Sequence, residues 1–106
     1  MDVKEALIKN ASNEVQVKEA KAKEKFGREQ ELADLIFVLS TVNGRRLIWR
    51  YLCSCGIYKQ SADVSGSWTY FNEGKRSVGN MMLADIMECM PDAYITMMKE
   101  SKGVLL

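Results

Sequence analysis

The first 31 residues constrain the fold most, because they cannot make a core. They hold seven bases (Lys4, Lys9, Lys18, Lys21, Lys23, Lys25, Arg28) and seven acids (Asp2, Glu5, Glu14, Glu19, Glu24, Glu29, Glu31) among few large apolar side chains. Good helix formers dominate the stretch. Glu14–Lys18, Glu19–Lys23 and Glu24–Arg28 stand four apart with the acid first, the order that supports an exposed helix. Ile8, Val15 and Ala22 recur every seven residues, but the second seam of a coiled coil falls on Ala11, Lys18 and Lys25. Residues 1–31 therefore read as a charged helix or arm, either solvated with no partner or able to dock on something through its thin apolar stripe. Residues 32–106 must supply the compact helical domain.

That domain is expected to be all-α, a bundle of about three to four short helices after the long charged N-terminal one. A single proline in 106 residues is too few for a fold built on turns. Leu32, Leu35, Ile36 and Leu39 keep helical spacing up to Ser40. Thr41 is placed to cap a second helix, which carries Leu47, Ile48, Tyr51, Leu52 and Cys55 on one face and stops at Gly56. Residues 57–71 read as a loop pinned to the core by Ile57, Tyr58, Trp68, Tyr70 and Phe71. A third helix is expected from about Asn72 to Cys89, with Val78, Met82, Ile86 and Met90 four apart. Pro91 suits the first turn of a last helix bearing Tyr94, Met97 and Met98 and closed by Lys102 and Gly103.

Composition removes several chemistries. There is no histidine, so imidazole-based triads and the usual zinc partner of cysteine are absent. Cys53, Cys55 and Cys89 are odd in number and lack a C-x-x-C spacing, which fits reduced thiols better than a disulfide framework or zinc knuckle. A metal site would need carboxylates alone, and no calcium-loop spacing occurs. No pair of carboxylates has an acid–base setting, so we expect no enzyme and no cofactor. The start Met1-Asp2-Val3-Lys4-Glu5 does not read as a secretory signal, and the longest apolar run, Leu35–Leu39, is too short to span a bilayer. No membrane role is expected.

Two glycine–arginine stretches carry what specificity remains: Asn43-Gly44-Arg45-Arg46 and Asn72-Glu73-Gly74-Lys75-Arg76-Ser77-Val78-Gly79-Asn80. Gly74 and Gly79 stand at a phosphate-loop distance, but Asn80-Met81 follows where such a loop needs Lys and Ser or Thr. Gly44, Gly74 and Gly79 read instead as places of close helix approach. Two readings of the charges stay open. In one, Glu73 pairs with the arginines Arg45, Arg46 and Arg50 as a polar joint between helices. In the other, Arg45, Arg46, Arg50, Lys75 and Arg76 form a basic contact face for phosphates or an acidic protein surface. The net charge of +1 gives no global pull on nucleic acid, which is possible as a partner but not favoured.

From about Leu39 to Ser101 the chain resembles a family of small phage proteins, typified by one encoded in the head-morphogenesis gene block of a Bordetella podophage. The resemblance rests on Gly44-Arg45-Arg46 with Leu47 and Trp49, and on Leu52 and Cys55-Gly56. It continues through Asn72-Glu73-Gly74-Lys75-Arg76 and Val78-Gly79, then Pro91, Tyr94, Met97 and Met98. It implies a virion-associated or head-assembly role, other phage structural proteins or a second copy as partners, and a place in the virion or host cytoplasm. It supplies no catalytic residues. A small module that binds nucleic acid or inhibits a host factor through the basic face is the alternative.

Overall fold

A computed structural model describes residues 2–102. Four helices and no strand occur among them: α1 (Val3–Leu39), α2 (Val42–Ser54), α3 (Gly66–Cys89) and α4 (Pro91–Glu100). The all-α expectation holds, with a long first helix and three shorter ones. The chain divides into two compact units, one up to Glu31 and one from Leu32 onward.

In the first unit α1 starts on Asp2, whose Oδ1 accepts from the Glu5 amide at 2.8 Å, and Glu5 lies in the positive first turn. Val3, Leu7, Ile8, Val15, Val17 and Phe26 are all exposed, so this stretch of helix shows an apolar stripe of large side chains and no core of its own among the described residues. The helix rests on propensity and on exposed pairs such as Lys25–Glu29 at 3.9 Å and Arg28–Glu31 at 3.3 Å. Each such pair contributes only a few tenths of a kcal/mol.

The second unit holds the core. Every two of α2, α3 and α4 pack together. Leu39, Ile48, Leu52, Ile86, Ala93 and Met97 are buried at their centre, with Leu35, Val38, Ile57, Met82, Leu83 and Met90 packed around them. The last two turns of α1, where Leu32, Leu35 and Leu39 keep their spacing, thus belong to this core and are not a separate helix.

Caps explain the breaks. After Leu39 the chain turns at Ser40 and Thr41, and Thr41 Oγ1 accepts from the Gly44 amide at 3.0 Å to open α2. A Cβ on Gly44 would sit 1.8 Å from the Val38 carbonyl oxygen, so only glycine lets α2 leave α1 this sharply. Gly56 takes φ +72° just past α2, the left-handed position a helix stop favours. Met90 leaves the helical path at φ −158°, ψ 66°, and Pro91 then opens α4 where its missing amide costs nothing. The expected stop at Lys102 and Gly103 is seen only to Lys102, since Gly103 lies outside the described residues.

Three expectations need correction. First, α3 begins at Gly66, not near Asn72. The Ser- and Gly-rich start reads as loop by composition, yet Ser65 is extended and its carbonyl receives the Thr69 amide at 3.1 Å. Thr69 Oγ1 also accepts the Asp63 amide at 2.9 Å, and Asp63 Oδ1 accepts from Ser65, so the turn is tied to the helix it precedes. Second, Trp68, Tyr70 and Phe71 are exposed on α3; of the five expected pins, Ile57 packs against the core and Tyr58 against Trp49. Third, Leu47, Tyr51, Val78, Met81, Met87 and Met98 are exposed, so each helix buries a narrower stripe than its apolar spacing suggests.

Candidate functional site

The three arginines of α2 separate by where the helix turns them. Arg45 faces inward, with its side chain 16% exposed. Its Nε donates to Glu100 Oε1 at 2.6 Å, its Nη2 to Glu100 Oε2 at 3.3 Å and its Nη1 to the Leu39 carbonyl at 2.9 Å. One guanidinium thereby fastens the end of α4 and the end of α1 to the start of α2. The hydrogen bond from Arg45 holds the Glu100 carboxyl below the usual carboxylate range, and the nearby charge of Arg46 adds to the effect.

Arg46 and Arg50 stand one turn apart and both are exposed. Neither makes an ion pair within 4 Å among the described residues; the Arg50 guanidinium lies 5.6 Å from the centre of the Tyr51 ring. They flank an open groove of about 690 Å³ lined also by Asn43, Leu47, Trp49, Cys53, Ser54, Glu100 and Ser101. Trp49 forms one wall, with its ring 5.8 Å from Tyr58 and 6.3 Å from Tyr94. The Tyr58 and Tyr94 hydroxyls are hydrogen-bonded to one another, and burial pushes the Tyr58 hydroxyl's pKa up. Burial also raises the pKa of the Cys53 thiol, against the pull of Lys59, which makes it a poor nucleophile at neutral pH.

A separate, smaller hollow of about 180 Å³ shares Cys53 and Ser54 with the groove in its lining and is also lined by Lys59, Lys75, Ser61 and Asn72. Lys75 lines that hollow and not the arginine groove, and its Nζ stands over the Phe71 ring at 5.0 Å. Arg76 lines neither. Its Nη1 reaches Glu73 Oε1 at 3.5 Å on the same helix, and its Nε is buried without a hydrogen-bond partner.

The expected joint between Glu73 and the arginines of α2 is therefore replaced by another. Glu73 accepts from the Ser61 hydroxyl and pairs with Arg76, while Asn72 Nδ2 donates to the Ser61 carbonyl at 3.2 Å. Because α3 starts at Gly66, Asn72 and Glu73 lie in its second turn, where they hold the Ser61 segment. The joint to α2 is Arg45–Glu100, which sequence reasoning missed because Glu100 sits 55 residues away in a stretch read only for its apolar face.

The close-packing glycines separate likewise. Gly44 behaves as expected, and Gly79 is buried against Cys55 Cβ and Ile57 Cγ2, each 2.5 Å from where its own Cβ would stand. Gly74 has nothing within 4 Å of that position; it faces solvent and brings no neighbour close. A second groove, apolar and about 400 Å³, lies between α2 and α3 beside Gly79, lined by Tyr51, Leu52, Cys55, Val78 and Met81.

No group of three or more metal-ligating side chains occurs among the described residues, and no helix is long and apolar enough to cross a membrane. The geometry comprises one inward-turned arginine that fixes three helix ends, and two exposed arginines beside a groove lined by Leu47, Trp49 and Cys53. Residues 37–99, more than half of the chain, match the Bbp19-like phage proteins. The chain belongs to that family. The matched span takes in Gly44, Arg45, Arg46, Arg50, Glu73, Lys75, Arg76 and Gly79, and stops one residue short of Glu100. The charged first 31 residues lie outside it. No curated protein and no solved structure matches the chain.

Proposed function

We propose that this phage protein is not an enzyme and works by binding other proteins, within the virion or during head assembly. The observation that carries the reading is the first unit: about eight turns of helix whose large apolar side chains are exposed. A helix of that kind gains stability when another surface covers its stripe. The partner is another phage structural protein or a second copy of the chain, and the place is the virion or the host cytoplasm. Membership of a phage protein family, with the head-morphogenesis setting that the sequence resemblance implies, favours assembly over metabolism.

Mass spectrometry of purified particles, with and without packaged DNA, tests this. The protein is expected in at least one of the two preparations. Its absence from both removes the virion role.

A basic module acting on nucleic acid is the second reading, favoured by Arg46 and Arg50 on one groove and Lys59 and Lys75 on a hollow that shares Cys53 and Ser54 with it. It requires DNA affinity that falls steeply with salt, since each phosphate neutralised adds nearly one to the slope of log K against log salt.

A further inference from the structure

We propose that the groove beside α2 takes up an acidic segment of a partner protein, with its carboxylates on Arg46 and Arg50 and an apolar side chain seated against Leu47 and Cys53. This rests on the reading of the protein as one that binds proteins.

The argument begins with charge. Arg46 and Arg50 lie four residues apart, a spacing that sets side chains about 6 Å apart on one helix face. Neither has a carboxylate within 4 Å among the described residues. The nearest acid in the groove, Glu100, has both oxygens engaged by Arg45. Two unneutralised guanidinium groups therefore face one groove. Each offers a planar fork that fits a carboxylate with two parallel hydrogen bonds.

The floor decides the class of partner. Between and beside the arginines the groove presents Leu47, the Trp49 ring and Cys53. An apolar side chain placed there leaves water, and the ion pairs at its edges strengthen as water is displaced. Its volume of about 690 Å³ suits side chains of a peptide segment better than a single ion. Nucleic acid is the weaker match. Two arginines are few against a polyanion, and the groove has a single aromatic ring, Trp49, where single-stranded nucleic acid is held by successive stacked bases.

The test is a titration of the full-length, isotope-labelled protein followed by NMR. The probe is a synthetic helical peptide carrying glutamates four residues apart around a leucine; a copy with lysines in place of the glutamates is the control. Shifts are expected at Arg46, Leu47, Arg50 and Cys53 but not at Val78 or Met81, with the lysine peptide silent. Arg46→Gln with Arg50→Gln should weaken binding about tenfold or more, and Arg46→Glu with Arg50→Glu should transfer binding to the lysine peptide. Both pairs are exposed substitutions, and unchanged thermal melts confirm that the fold persists. The proposal is overturned by no shift at about 1 mM peptide, by affinity indifferent to both double variants, or by a single-stranded oligonucleotide displacing the peptide. These outcomes are independent of particle analysis: absence from particles would end the virion role without touching the titration, and a silent titration would end the groove proposal alone.

Discussion

At the scale of single residues, three glycines make opposite predictions from one chemistry. Gly44→Ala drives a methyl into the Val38 carbonyl, which is backbone and cannot yield, so we expect a loss of about 3 kcal/mol in denaturant unfolding. Gly79→Ala meets Cys55 Cβ and the rotatable end of Ile57, and should lose about 1–2 kcal/mol after its helix-propensity gain. Gly74→Ala adds a methyl in open space and should gain up to about 1 kcal/mol. The need for glycine at positions 44 and 79 was legible in the sequence, because a glycine inside a helix is costly unless something comes close. Gly74 was misjudged with the helix start on which its reading depended.

Glu100 gives a pH prediction. Its folded pKa lies below its ordinary value, so the stability it contributes is complete above the unfolded value, about 4.3, and is lost as pH falls through the lower folded value. Wild type should melt above Glu100→Gln at pH 7, with the gap closing in acid. A constant gap down to the acid side of that window would contradict the Arg45–Glu100 joint.

At the scale of elements, periodicity and caps did most of the work. Thr41, Gly56 and Pro91 mark boundaries by chemistry that is local, and all three stand where expected. The start of α3 was not legible, because its closing bonds run from Asp63 to Thr69 across residues whose composition signals loop. Thr69→Val removes the hydroxyl that accepts from Asp63 and should cost about 1 kcal/mol. Hydrogen exchange should then quicken over residues 66–71 while α2 and α4 keep their protection. Uniform quickening would mean that this turn is not a local device.

At the scale of the molecule, composition speaks to the first 31 residues and is silent on which cations point outward. Residues 1–31 have too little apolar surface to build a core, a fact of composition. Which cations point outward depends on a partner 55 residues away that claims Arg45 and leaves Arg46 and Arg50 unpaired. The exposed stripe of the first unit predicts self-association or capture by a partner. Sedimentation should depend on concentration up to about 0.1 mM, and Ile8→Glu with Val15→Glu should abolish the dependence without lowering the melting temperature. A monomer throughout would assign the stripe to another protein.

The central claim, a binding role in assembly, is tested most directly by a phage that carries a stop codon in this gene. We expect genome replication in the infected cell to proceed normally while electron microscopy shows missing, aberrant or unfilled heads, restored by supplying the protein in trans. Normal particles, or failure already at DNA synthesis, would contradict it.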